Sequence, residues 1–233
     1  HTGIDNQVIN FTETSAGGGF IREGDSMGDV YITKVLKRDA SGNIAVGADG
    51  SLSSMDLPNG QRLKIGNTNP DFTLGWRNNI SWKGLNLSFL INARVGGIVT
   101  SATQAVLDQF GVSKATADAR DRGYVEVAGG QKVDPQKYYE VVANQQLMGY
   151  YYYSATNVRL QNISLSYTLP KTLLGQGWPG VTVGLIANNL WMIYNKAPFD
   201  PEIAASTGTY GQGSDYFSAP SLRNIGFSLK LNF

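Results

Sequence analysis

Apolar and polar residues alternate with period two along several stretches of this chain, the mark of strands whose two faces meet different surroundings. From Phe72 to Trp82 the even positions read Phe, Leu, Trp, Asn, Ile, Trp, while the odd positions read Thr, Gly, Arg, Asn, Ser. From Leu85 to Val95 the odd positions are Leu85, Leu87, Phe89, Ile91, Ala93 and Val95, set against Asn86, Ser88, Asn92 and Arg94. Lys83-Gly84 between them suits a tight hairpin. Each run has the length that a tilted strand needs to cross a bilayer. Near the end of the chain, Ile225, Phe227, Leu229, Leu231 and Phe233 share one parity, and no apolar side chain shares the other. Val158 to Leu169 is strand-like with a slip of phase: Val158 and Leu160 are even, whereas Ile163, Leu165, Tyr167 and Leu169 are odd. The slip falls on Gln161-Asn162 and predicts a β-bulge or a change of environment there. Val181 to Tyr194 is a longer, less regular strand. Weaker strands are expected over Asp29 to Leu36 and Val8 to Phe11.

The connections are lopsided. Lys83-Gly84 and Pro170 to Gly180 are short, whereas about 37–71, 97–155 and 196–220 are long. Counted back from the last strand, long and short connections alternate, as in outer-membrane barrels with short periplasmic turns and long extracellular loops. Within 97–155, helices are expected over Thr103 to Phe110 and Lys114 to Arg122, broken by Gly111, and from Asp134-Pro135 through Val142. The run Tyr150 to Tyr153 is expected near the outer aromatic girdle of such a barrel.

Composition narrows the function. The 233 residues include no Cys and one His, which excludes disulfides, iron–sulfur clusters, zinc fingers, thiol nucleophiles and a Ser-His-Asp triad in this chain. A net charge of +1 gives no broad footprint for nucleic acid. Charged residues make up 16%, against about 25% in soluble domains. There are 28 glycines. Mean hydropathy is −0.19; in a barrel it averages two opposite faces and says nothing of solubility. No run of apolar residues is long enough for a transmembrane helix. The chain begins at His1 without a signal sequence, and it reads as part of a longer protein.

Few motifs suggest chemistry. Sequons at Asn10, Asn79, Asn86 and Asn162 mostly fall in strands, where alternation generates them by chance. Gly17-Gly18-Gly19 lacks the flanks of a phosphate loop. Asp200 and Glu202 resemble a carboxylate pair for acid–base work, but their Pro- and Gly-rich loop favours a role in ordering that loop. No cofactor or metal site is expected.

Individual residues carry a family resemblance. Asn157 to Lys171, NVRLQNISLSYTLPK, resembles the "(Y)LRLKNITLGYTLPK" signature of SusC/RagA-like TonB-dependent transporters of Bacteroidetes. Asn69-Pro70-Asp71-Phe72 with Gly75, Asn189-Leu190-Trp191, Asp200-Pro201-Glu202, Ser214-Asp215-Tyr216 with Pro220, and Gly226 to Phe233 follow in the family's order. Val158 and Asn157 depart from the pattern, and the Asp-Gly-rich stretch before NPDF is degraded to Asp56 to Gly60, so no ion site is carried over. The resemblance implies an all-β fold: an antiparallel transmembrane barrel segment, about the last seven strands of a 22-stranded barrel, with helices in its long loops. Residues 1–233 would be the C-terminal portion of one barrel domain, without its plug and N-terminal domain. The function implied is part of an outer-membrane importer of oligomeric nutrients, glycans or peptides, in a Gram-negative bacterium. The partners implied are a SusD-like surface lipoprotein, outer-membrane lipid and, through the missing N-terminal parts, the TonB complex. Phe233 would be the assembly signal at the periplasmic rim. Tyr150, Tyr151, Tyr152, Tyr153, Phe199, Tyr210 and Tyr216 are candidate contacts to substrate or lid. The competing reading is a soluble β-sandwich carbohydrate-binding module, whose apolar faces would meet about 10 Å apart. A hydrolase is a residual third.

Overall fold

The computed structural model describes residues 13–16, 19–26, 28–175, 179–202 and 213–232. The chain divides into two compact units: His1–Asn69 with Ile98–Tyr153 and Ala204–Ser218, and Pro70–Gly97 with Ser154–Ile203 and Ala219–Phe233.

The second unit is built on one antiparallel sheet of five strands: β1 Phe72–Trp82, β2 Leu85–Val95, β3 Asn157–Thr168, β4 Gly180–Asn195 and β5 Asn224–Asn232. They pair strictly in chain order. Lys83 (φ 45°) and Gly84 (φ 85°) close the β1–β2 hairpin. Positive φ at both central residues is the type I′ geometry whose twist matches that of the strands. The Gly84 carbonyl also accepts the Thr168 N–H at 2.8 Å, so both short connections lie at one end of the sheet. Phe72 opposite Val95, and Asn157 opposite both Arg94 and Asn195, put every long connection at the other end. A Cβ on Gly84 would lie 2.9 Å from the Thr168 carbonyl oxygen. Gly84→Ala is therefore expected to cost about 1–2 kcal/mol, read as a lower urea midpoint of the folded protein.

The predicted slip in β3 is a bulge. Against β2, Leu160 faces Ile91 and Asn162 faces Leu90, which leaves Gln161 as the extra residue. The bulge resets parity, so Val158 and Leu160 join Ile163, Leu165 and Tyr167 on one face, opposite Ala93, Ile91, Phe89, Leu87 and Leu85. The Gln161 amide oxygen accepts a hydrogen bond from Asn92 Nδ2.

The first unit is a folded loop assembly with its own core: Leu36, Ile44, Leu52, Ala105, Val127, Val133, Val142, Ala143, Leu147 and Tyr151. Its helices are α1 Ala102–Gln109, α2 Lys114–Arg122 and α3 Pro135–Val142. Each starts where a side-chain oxygen accepts the N–H three residues on: Ser101 from Gln104, Ser113 from Thr116, and Asp134 from Lys137. Such caps satisfy donors that the helix itself leaves open. Gly123 (φ 81°) stops α2. The expected strand Asp29 to Leu36 is in fact two short pieces outside the wide sheet. Asp29–Ile32 pairs with Leu63–Asn67, and Lys34–Leu36 pairs with Ser54–Asp56. The wide sheet thus has five described strands. Val8 to Phe11 and Phe233 lie outside the described residues.

Candidate functional site

The register places most apolar residues of the five strands on one face. The rows run Ile80, Leu87, Leu165, Leu185 and Phe227, and, one row along, Phe89, Ile163, Ala187 and Ile225. This face is not a core: Trp82 is 66% exposed and Phe227 69% exposed, and Phe72, Leu74, Trp76, Leu185, Ile225 and Leu229 are exposed too. A continuous apolar surface of this extent is not tolerated against water. A soluble sandwich requires such faces to be buried against each other, whereas these residues are exposed, and that reading is set aside.

Aromatic residues bracket the band. Trp82 and Tyr167 stand in the row at the short-turn end, and Phe72 and Tyr194 near the long-loop end. Ten residue steps from Phe72 to Trp82 cover ~33 Å; tilted by ~40°, they stand ~25 Å tall, the height of an outer-membrane apolar band between aromatic girdles. Within the band Trp76 meets Phe89 edge to face, ring centroids 5.3 Å apart. At its rim Lys83 Nζ lies 5.1 Å from the Trp82 ring centroid, the stance of a cation snorkelling toward water.

The opposite face is mainly polar, with Leu90, Ile186 and Met192 interspersed. It carries Thr73, Arg77, Asn79 and Ser81 of β1, and Asn86, Ser88, Asn92 and Arg94 of β2. Asn162, Ser164, Ser166 and Thr168 continue it on β3, and Ser228, Lys230 and Asn232 on β5. Cross-strand hydrogen bonds knit it together. Asn162 Nδ2 donates to Asn188 Oδ1 at 2.8 Å, and the Thr168 and Thr182 hydroxyls are 3.1 Å apart.

At the long-loop end a buried ionic cluster joins β3 to the connection after β4. Arg159 Nη2 donates to Asp200 Oδ1 at 2.6 Å and lies 3.4 Å from Glu202 Oε2. The Arg159 and Asp200 side chains are 6% and 8% exposed. Ser221 Oγ donates to the other Asp200 oxygen, and the Glu202 N–H donates to Oδ1. Burial pushes the Asp200 carboxyl up, but these hydrogen bonds and the guanidinium charge outweigh it and hold it below the usual carboxylate range. The cluster borders a cavity of about 290 Å³ lined by Asn189, Trp191, Asn195 and Arg223 among others. Asp200 is therefore a structural anchor for the loop, in line with the loop-ordering role that its setting suggests. Among the described residues no group of three or more His, Cys, Asp or Glu is placed to hold a metal.

The predicted contact residues fall in different settings. Tyr150 and Tyr216 are exposed. Tyr216 packs edge to face on Phe217, centroids 5.1 Å apart. Phe199 is half-buried, and its carbonyl accepts from Asn195 Nδ2 at 2.7 Å. Tyr152 and Tyr153 are half-buried. Tyr151 departs from expectation: at 3% exposure it belongs to the loop core, and its hydroxyl donates to buried Asp108 at 3.0 Å. Burial and that carboxylate push its phenol well up. Tyr151 is therefore a framework residue of the loop core. Tyr210 lies outside the described residues. Two links were missed from sequence: Arg159 with Asp200, and Ser101 Oγ with Asp215 at 2.7 Å. Both join residues far apart in the chain; the only hint of the first was the resemblance of Asp200-Pro201-Glu202 to a family motif.

No family model matches the chain. It is similar to two curated proteins of Formosa agariphila. One is TonB-dependent receptor P3, at 26% identity over 91% of this chain and 23% of that protein. The other is TonB-dependent receptor P39, at 27% identity over 87% of this chain and 20% of that protein. Among solved structures it is similar to the RagAB peptide importer in its open-open state (TM-score 0.67, 20% identity) and its closed-closed state (TM-score 0.64, 18% identity). In each case 97% of this chain aligns with 25% of that one. The chain thus spans about a quarter of the length of the relatives it matches, and its fold is that of a stretch of such a transporter. No described helix is long and apolar enough to cross a membrane, which leaves crossing by strands open. Over most of its length the chain is similar to TonB-dependent receptors, and its fold matches a stretch of the RagAB importer, in agreement with the motifs read from its sequence.

Proposed function

We propose that this segment forms part of the barrel wall of an outer-membrane, TonB-dependent importer of oligomeric nutrients, glycans or peptides. On this reading residues 1–233 are the C-terminal part of one barrel domain. A SusD-like surface lipoprotein covers the whole protein, and the TonB complex drives it through parts beyond this chain. The observation that carries the reading is the exposed apolar face, continuous over five antiparallel strands and backed by a polar face. A barrel wall between lipid and lumen needs that division. The edges of β1 and β5, unpaired among the described residues and a hazard in water, become seams to neighbouring strands. Transport needs no covalent chemistry, which suits a chain without Cys and with a single His. The likeness to TonB-dependent receptors supports the class, and the likeness to a peptide importer supports oligomeric cargo.

This chain has no Cys of its own, so single cysteines introduced into it, with any Cys beyond it replaced, test the reading. In the full-length protein, in vesicles of brominated lipid, bimane attached at Leu74→Cys or Leu229→Cys is expected to be strongly quenched. Bimane at Asn79→Cys or Ser88→Cys is expected to be protected. Equal quenching on both faces would overturn the barrel-wall reading.

A further inference from the structure

We infer that the polar face of the five-stranded sheet is a cationic wall that favours anionic cargo, so that the imported oligomer carries carboxylate groups; this rests on the importer reading above. The chain as a whole is balanced, with 19 Lys and Arg against 18 Asp and Glu. The sheet is not: none of its five strands contains an acidic residue, and all four of their charged residues, Arg77, Arg94, Arg159 and Lys230, are basic. The four side chains lie on the polar face. Arg94 stands opposite Thr73 and Asn157 at the long-loop end. Arg77 lies four residues further along β1. Lys230 faces Thr182, close to the short-turn end. Counted along the strands, Arg77 is ~13 Å from the Arg94 row, and Lys230 is a further ~20 Å on. Basic charge therefore recurs from one end of the wall to the other.

These positions differ in what they offer. Arg159 is neutralised in its buried pair with Asp200. Arg77 and Lys230 are exposed, and among the described residues neither forms an ion pair. Around them Asn79, Ser88, Asn162, Ser164, Ser228 and Asn232 supply amide and hydroxyl groups that solvate any polar oligomer. The charge alone selects by sign. A confined wall of one charge sign between low-dielectric boundaries concentrates counter-ions and repels co-ions, and Arg and Lys linings are the general means of favouring anions in pores.

The test uses the full-length protein in neutral lipid vesicles at low ionic strength, with labelled hexaglutamate, hexaglutamine, hexalysine and trigalacturonate as probes. Hexaglutamate or trigalacturonate is expected to bind about tenfold more tightly than hexaglutamine, with hexalysine weakest and the preference lost at high salt. The Arg77→Gln/Lys230→Gln double variant is expected to erase most of the preference, and Arg77→Lys/Lys230→Arg to keep it. Equal binding of acidic and neutral probes would overturn the proposal. So would a preference that the double variant leaves unchanged, since the two cations would then be matched by fixed acids elsewhere in the protein. Bimane quenching in the same variants separates the two readings: an intact two-faced pattern without acidic preference sinks the cationic wall alone, and a uniform pattern sinks the barrel wall beneath it.

Discussion

Asp200→Ala is expected to cost the barrel about 3 kcal/mol and to loosen the 196–220 connection from β3. Removing one partner of a buried pair leaves the other charge desolvated and uncompensated, which typically costs about 3–5 kcal/mol. The lower end applies because Glu202, 3.4 Å from Arg159, retains part of the attraction. Urea unfolding in vesicles measures the loss, and limited proteolysis of the connection locates it. The double replacement Arg159→Met/Asp200→Leu, which removes both charges, is expected to recover most of the stability. An Asp200→Ala barrel with wild-type stability and protease resistance would show that the cluster does not anchor the loop.

The same cluster has a pH signature. The Asp200 carboxyl is held below its ordinary range in the folded protein. Its contribution is therefore fully present above the carboxylate's unfolded pKa and is lost as pH falls through the lower folded value. Protease sensitivity of the connection is expected to rise only in that acid window, and Asp200→Asn to flatten the dependence.

Ile225→Arg is the second large effect. Ile225 sits near the middle of the apolar face, opposite Ala187, and is 71% exposed. Under the barrel reading it faces lipid near mid-membrane, where an arginine costs about 2–4 kcal/mol. Asn79→Arg puts the same charge on the polar face, next to Ser88, and is expected to be nearly neutral. Folding yield and urea midpoint of the two variants in vesicles give the comparison. If both arginines cost the same, the two faces share one environment and the barrel reading fails.

Much of the wide sheet was legible because alternation is a local property. Phe72 to Trp82 and Leu85 to Val95 came out with the bounds and hairpin that their pattern predicted. The parity slip at Gln161 was legible for the same reason: a strand with one apolar face tolerates a change of phase only if an extra residue restores it. The start of the third helix was readable from Asp134-Pro135, because caps act within one turn. The run Tyr150 to Tyr153 was not readable. Its composition fits a girdle, a ligand platform and a core equally well, and only packing against Leu147, Val142 and Asp108 gives Tyr151 its place.

By itself the sequence determined where the strands lie, that they have two unlike faces, and that long connections share one end. These follow from periodicity and spacing, which need no knowledge of distant residues. The tertiary structure alone decided which distant groups meet: Arg159 with Asp200, Ser101 with Asp215, Asp108 with Tyr151. It also gathered the four basic residues of the strands on one face. Burying a polar or charged group is tolerable only when a partner arrives in three dimensions, and that partner's position in the chain leaves no local trace.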